Sequence, residues 1–310
     1  MKYIAAGSVI TNRIWYKDGH LVDGVMGGHG LFGYEGMALG SPDTVFVSTV
    51  GPDFDDCYGK WFDDNGFSRE GLSFRCEKTL YNELVYMEDG TFVEYSIYSP
   101  KIAKHDESVA PVRVDDYEKF LPDCRGMYLM ILPKGDDFKR FAELKKQYGF
   151  KLMWEYTTGK LLTEGKEAVF DFINDYADIY SLNRPESYQL FGTDNEEDTI
   201  KKIMELGKPC YYRVGSKGAY MVKDGRSAFV PVVNIVPHDQ EIDPTGCGNS
   251  STAAAGWAFF EDFDILMNCI WGNVVAGYNV RQYGPYPEIN EKVRKEAMDK
   301  AKELYMELRK

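Results

Sequence analysis

From residue 126 onward the chain keeps a double rhythm. "MYLMIL", "FKLMWEY", "ADIYSLN" and "CYYRVG" are short, almost continuous apolar runs. Between them, "DDFKRFAELKKQYG", "GKEAVFDFINDY" and "NEEDTIKKIMELG" place apolar residues at helical spacing. Apolar runs without polar alternation are strands buried on both faces, and that burial requires helices above and below the sheet. The alternation therefore predicts an α/β fold with a doubly wound, mostly parallel sheet. Two more buried strands, "KYIAAGSVI" and "TVFVSTVG", stand near the start. "PDFDDCYGKWFDDNGF" reads as a helix closed by Gly66, and "EINEKVRKEAMDKAKELYMELRK" as an amphipathic terminal helix.

Two segments break this rhythm. "RIWYKDGHLVDG" sets "KDG" between apolar-aromatic runs, and "TLYNELVYMEDGTFVEYSIY" turns around "EDG". Both read as hairpins, and the second alternates polar with apolar residues, the pattern of a sheet with one wet face. They are expected to form one small projecting sheet, a lid of two inserted hairpins at about 12–26 and 75–110. With no repeats and no linker-like stretch, residues 1–310 read as one domain with this lid. A one-faced sheet of this size seeks cover, so a homodimer through the lid is expected.

Charge and composition narrow the function. A net charge of −13 repels phosphate backbones, so nucleic acid is not an expected partner. No apolar stretch reaches the roughly 20 residues of a membrane helix. "MKYIAAGSVITNR" lacks signal-peptide organisation. Six cysteines without a C-x-x-C pair and four dispersed histidines give no zinc spacing. A cytoplasmic protein with a small-molecule ligand is expected, with no membrane partner.

"GHGLFG" (Gly28, Gly30, Gly33) matches the dinucleotide fingerprint G-x-G-x-x-G. That motif needs a strand directly before it and an acidic residue closing the next strand. Here a hairpin precedes it and "TVFVSTVG" ends without an acid, so it is set aside. "DPTGCGNSST" (243–252) opens an alanine-rich apolar helix. Glycines at a helix start let backbone N–H groups converge on an anion at the positive end of the dipole. An ordinary N-cap by Asn249 or Ser250 explains the same residues equally well. "NRPES" puts Asn183 and Glu186 after a strand, at the sheet edge where α/β ligands bind. An amide and a carboxylate there suit hydrated Mg²⁺ near phosphates. Pro185 in a first turn suits a plain helix start as well.

The order of these elements carries a resemblance. Gly27-Gly28, "STVGPDFDDCYGKWFDDNGF", "NRPE", "RVGSKGAYM", "DPTGCGN" and "GNVVAGYNVRQYGPYP" follow one another as in the ribokinase-like, PfkB-type carbohydrate kinase family. The resemblance runs over nearly the whole chain. It implies a doubly wound domain with a small β lid, and transfer of the γ-phosphoryl of ATP to a hydroxyl of a sugar, sugar derivative or nucleoside. It also implies that Gly246, Cys247 and Gly248 form an anion hole. Asn183 and Glu186 match the family's N-x-x-E, Glu186 acting indirectly on Mg²⁺. Gly215 and Gly218 match a nucleotide-side loop, and the region of Asn273 and Gly277 an adenine pocket. Asp243 begins the loop in whose neighbourhood some relatives hold a monovalent cation such as K⁺. Gly27 and Gly28 fall on the substrate side.

Three positions depart from the family. Its catalytic base is an Asp after G-x-G, where this chain has Asn249. The Asp that binds substrate hydroxyls is matched by Asn12, and an Asn after the glycine pair by Phe32. The nucleotide side looks kept and the acceptor side rewritten. An amide orients a hydroxyl but cannot take its proton at neutral pH. A slow kinase, or a nucleotide- or sugar-binding homologue acting as sensor or partner, is therefore expected.

Overall fold

The computed structural model describes residues 1–88, 92–97 and 111–309. Residues 89–91 and 98–110, both inside the expected second lid hairpin, lie outside the described residues.

The strands are β1 (Tyr3–Ala6), β2 (Ile10–Trp15), β3 (Leu21–Gly27), β4 (Thr44–Val50), β5 (Leu72–Phe74), β6 (Leu80–Tyr86) and β7 (Phe92–Ser96). They continue with β8 (Gly126–Leu129), β9 (Lys151–Glu155), β10 (Ile179–Asn183), β11 (Cys210–Arg213), β12 (Gly218–Lys223) and β13 (Arg226–Pro231). The α-helices are α1 (His29–Gly40), α2 (Lys60–Asp64), α3 (Val114–Tyr117), α4 (Asp136–Tyr148) and α5 (Thr158–Asp175). After them come α6 (Arg184–Phe191), α7 (Glu196–Leu206), α8 (Cys247–Phe260), α9 (Ile265–Asn279) and α10 (Glu291–Leu308).

Among the described residues the large sheet has nine strands in the order β13-β12-β11-β10-β9-β8-β1-β4-β5. From β11 through to β5 every pairing is parallel, while β12 and β13 add an antiparallel edge. The expected doubly wound sheet is present. The antiparallel edge was not read from the sequence, because "AYMVKDGRSAFV" is short and partly exposed.

Period-2 geometry divides each central strand between two cores. Tyr3 and Ala5 of β1 face one core, and Ile4 and Ala6 the other. Phe46 and Val50 of β4 join the first core, Val45 and Val47 the second. Helices α1, α8, α9 and α10 contribute to the first core, and α4, α5, α6 and α7 to the second. The expected helix from 165 is the second part of α5, which contains a non-helical Gly165 at φ 86°.

The two expected hairpins form a separate sheet, β3-β2-β6-β7. Its outer pairs are antiparallel and β2 runs parallel to β6. Ile14, Val25 and Leu84 give it a small core of its own. Asp53 fastens it to the large sheet by accepting from Thr79 N at 2.8 Å, while Gly51 N donates to Thr79 Oγ1 at 3.1 Å. Among the described residues, no helix is long and apolar enough to cross a membrane.

Helices α1 and α8 cross at Gly36, where an added Cβ would stand 2.1 Å from the Ser250 carbonyl oxygen. Gly36→Ala gains helix propensity but forces apart the two helices that hold the 246–249 loop. It is expected to cost about 1–3 kcal/mol net, read as a lower urea midpoint at unchanged m-value. An unchanged midpoint would show that the crossing tolerates the methyl group.

Candidate functional site

Three neighbouring parallel strands end at one place. Glu155 closes β9, Asn183 closes β10 and Arg213 closes β11, with Asn183 opposite Arg213 in register. The carboxyl ends of parallel strands are where open α/β sheets bind ligands. The loop 243–246 leads into α8 at the same edge.

Gly246 is the residue before α8 and adopts φ 84°, a left-handed conformation that glycine takes without strain. No side chain caps the first turn of α8. The N-cap alternative offered by the sequence is thus not what Asn249 and Ser250 do. Ser250 Oγ donates back to Cys247 O at 3.4 Å, and Ser251 Oγ to Gly248 O at 3.0 Å. The Phe32 ring lies against Gly246, 2.3 Å from where a Cβ would stand. Burial pushes the Cys247 thiol up to about 12, so it is a neutral group in the loop. Asn279 Nδ2 donates to Thr245 O at 2.8 Å and reaches Cys247 Sγ at 3.2 Å, fixing the loop from the end of α9.

Asn249 is half-buried, and its Nδ2 donates to Glu155 Oε2 at 3.0 Å. The Tyr128 hydroxyl donates to the same oxygen. Burial, and then the charge of Glu155, push the Tyr128 phenol well above its ordinary range, so it remains a donor. Arg213 Nη2 pairs with Glu155 Oε1 at 2.9 Å and lies 3.6 Å from Glu186 Oε2. Burial alone would lower the guanidinium's pKa; the charges of Glu155 and Glu186 outweigh it and hold it above its ordinary value. Arg213 Nη1 lies 2.4 Å from where a Cβ on Gly248 would stand. Glycine there leaves room for the guanidinium against the loop.

Asn183 and Glu186 form a reciprocal capping box at the start of α6: Glu186 N donates to Asn183 Oδ1 at 2.9 Å and Asn183 N to Glu186 Oε2 at 2.7 Å. Burial pushes the Glu186 carboxyl up to about 7, against the pull of Arg213. Both oxygens of Glu155 are engaged, Oε1 by Arg213 and Oε2 by Tyr128 and Asn249, whereas Glu186 meets Arg213 and Asn183 N through Oε2. Among the described residues, no group of three or more His, Cys, Asp or Glu side chains could hold a metal ion.

Across the loop, Asp243 is buried; its Oδ1 accepts from Thr245 N at 3.0 Å and from Thr245 Oγ1 at 2.7 Å. Burial raises its pKa, against the bonds from Thr245 and then the proximity of the Tyr16 phenol; Asp243 Oδ2 and the Tyr16 hydroxyl have no hydrogen-bond partner among the described residues. The small sheet leans onto this corner. The Tyr86 hydroxyl lies 2.7 Å from Thr245 Oγ1, Tyr16 stacks on Tyr86 at 5.6 Å and on His20 at 4.4 Å, and Tyr283 closes the group at 5.8 Å from Tyr16. Asn12 is buried on β2 with Oδ1 lacking a hydrogen-bond partner among the described residues. Its Nδ2 stands 2.2 Å from where a Cβ on Gly27 would be, so glycine makes room for the amide. Gly28 bends the chain at φ 100° into α1.

Gly215 (φ 66°) and Gly218 (φ 126°) turn the chain from β11 into β12, directly after Arg213. Asn273 spends its Nδ2 on Cys269 O at 2.9 Å within α9, and Gly277 of the same helix lies against Val233 O and Ile235. Glu155, Arg213, Tyr16 and Tyr86 were missed in the sequence. The available signal was a charged residue ending each of the apolar runs "FKLMWE" and "CYYR".

No family model matches the chain. It is 22% identical to an uncharacterised protein of Schizosaccharomyces pombe over 92% of this chain and 85% of that one. Its structure is similar to that of a protein described as a probable sugar kinase of Rhizobium etli, with a TM-score of 0.77, 16% identity and coverage of 97% and 98% of the two chains. It is also similar to a fructokinase of Vibrio cholerae solved with fructose, ADP and calcium, with a TM-score of 0.69, 17% identity and coverage of 95% and 98%. The fold is ribokinase-like.

Proposed function

We propose that this chain is a member of the PfkB-type family that binds ATP at the Gly246–Gly248 loop and transfers its γ-phosphoryl group to a hydroxyl of a sugar or sugar derivative. The observation that carries this reading is the uncapped, glycine-entered start of α8, backed by the Arg213 guanidinium in a ribokinase-like fold. An anion seated there meets converging N–H groups, the helix dipole and a cation together. Gly215 and Gly218 serve the nucleotide side, as do Asn273 and Gly277. Magnesium accompanies ATP as the counter-ion of its phosphates. Asp243 Oδ2, buried without a hydrogen-bond partner among the described residues, serves a substrate hydroxyl or a K⁺ ion near the loop. Asn12 faces the acceptor with an unspent Oδ1, and Tyr16, Tyr86 and Phe32 supply the flat apolar walls typical of small-ligand sites.

In the transfer, the acceptor oxygen bonds to the γ-phosphorus as the bond to the bridging oxygen of ADP breaks. Asn249 orients that hydroxyl through its Oδ1, which lies outside its bond to Glu155. The hydroxyl proton leaves to solvent in this slow form. A general base normally contributes about 10²–10⁴-fold, so turnover is expected to be low by that order. The second reading, a catalytically weak or inactive nucleotide- or sugar-binding homologue acting as sensor or partner, is favoured by the same amide. Asn249 is tied into the Glu155–Tyr128 network as a donor and has no base of its own. A dimer through the small sheet belongs to either reading, supported by the exposure of Trp15, Leu21 and Tyr95.

ADP release and product mass, followed across sugars, sugar acids and nucleosides, test the first reading. Slow ATP-dependent formation of a phosphorylated acceptor is expected. Nucleotide binding by calorimetry without any product would select the second reading; the absence of nucleotide binding would reject the first and leave only the sugar-binding form of the second, which calorimetry with sugars tests.

A further inference from the structure

We propose that Arg213 is the resident cation of the phosphate site, taking the charge position between Glu155 and Glu186, so that polyphosphate binding does not require a divalent metal held by this pair. The inference rests on the nucleotide-binding reading above, and deepens it by naming what meets the phosphates.

Three observations carry it. The guanidinium sits between two carboxylates, 2.9 Å from Glu155 Oε1 and 3.6 Å from Glu186 Oε2. Those distances belong to ion pairs, and a metal placed between the same oxygens would have to expel the guanidinium. Second, the other edge of the group faces the loop: Nη1 lies 2.4 Å from where a Gly248 Cβ would stand. Third, its Nε is buried without a hydrogen-bond partner among the described residues, so the fork is not saturated by the protein. A buried donor left unpaired is costly, so the guanidinium is held here by the two carboxylates and not by a complete set of hydrogen bonds.

Chemistry favours the substitution. In phosphoryl transfer the protein's task is positioning and charge stabilisation, and a guanidinium matches phosphate oxygens with a planar, permanently charged fork. Its register is fixed by β11, whose residue Arg213 lies opposite Asn183. Glu155 and Glu186 then act as positioning residues that aim the cation.

Two measurements on the full chain test this. Mn²⁺ titration followed by electron paramagnetic resonance, without nucleotide, reads the carboxylate pair directly. Wild type and Glu186→Gln are expected to take up the same amount of Mn²⁺. Arg213→Met is expected to gain one site that Arg213→Met with Glu186→Gln lacks. A wild-type Mn²⁺ site abolished by Glu186→Gln overturns the proposal. Calorimetry with ATP reads the consequence. Chelating Mg²⁺ with EDTA is expected to weaken wild-type binding by less than about tenfold, and Arg213→Met to weaken metal-free binding by more than about tenfold. The reverse of either result overturns the proposal. Arg213→Lys keeps the charge and guards against a folding failure of the Met variant; metal-free binding stronger than that of Arg213→Met is expected, and binding as weak as with Met counts against the proposal. If wild type binds no nucleotide in either buffer, the kinase reading falls, while the Mn²⁺ titration still decides the place of Arg213.

Discussion

Asn249→Asp combined with Glu155→Gln is expected to raise ATP-dependent turnover by about 10²–10⁴-fold over the natural sequence, the contribution of a general base. Asn249→Asp alone is expected to gain much less and to lose stability. The reason is the 3.0 Å bond from Asn249 Nδ2 to Glu155 Oε2. An aspartate at position 249 sets two carboxylates against each other beside a Glu155 that is only 2% exposed. Like charges at that distance cannot both ionise, so one takes up a proton and the new base is lost. The unrelieved contact is expected to cost on the order of 3 kcal/mol. Glu155→Gln reverses the bond: the amide introduced at position 155 donates to the carboxylate introduced at position 249. The carbonyl of that amide still faces Arg213, and the number of negative charges is conserved. Single-turnover kinetics and thermal melts of wild type, the single variant and the double variant give the comparison. Equal turnover in Asn249→Asp and the double variant would remove Glu155 from the account, and no turnover in either would favour the binding homologue.

Glu35→Gln is expected to flatten the pH dependence of stability. Glu35 lies on α1 with 0% exposure; Oε1 accepts from Tyr286 N at 3.0 Å, and Oε2 has no hydrogen-bond partner among the described residues. Burial pushes this carboxyl up to about 8, against the backbone bond that favours the charged form. The folded chain therefore binds a proton that the unfolded chain releases near the ordinary value of 4.5. With the folded pKa raised, the stabilisation is complete below the unfolded pKa and is lost as pH rises towards the folded one. Relative to Glu35→Gln, wild type should lose about 1.4 kcal/mol per pH unit from about pH 5 to about pH 7.5. Urea melts across that range check the sign. Parallel curves for the two proteins would show that Glu35 ionises in the fold as it does in solution.

Much of the architecture was legible because burial writes itself into short sequences. "FKLMWEY" and "ADIYSLN" are apolar on both faces, and the structure divides them between two cores. "YKDGH" interrupts two apolar runs, and β2 and β3 pair across it. The edge strand β13 was missed because it is mostly exposed and lacks that continuous signal, and the short, largely buried β12 that pairs with it was missed as well. "GHGLFG" shows how a motif separates from its meaning: α1 starts there, but Gly33 is small because the Tyr128 ring occupies the space, 2.2 Å from where a Cβ would stand.

At the site the division is sharper. The residue types of the 243–249 loop could be read from the chain, because a glycine-entered helix start is a local property. What Asn249 donates to, and that Arg213 rather than an open space separates Glu155 from Glu186, was decided only in the tertiary structure. Glu155, Asn183 and Arg213 lie roughly 30 residues apart along the chain, the length of one strand-helix-strand unit, and only the parallel pairing of β9, β10 and β11 brings their ends together. Sequence by itself determined the layers and the loop. The pairing of charges across strand ends depends on sheet register, a long-range property that no local pattern records.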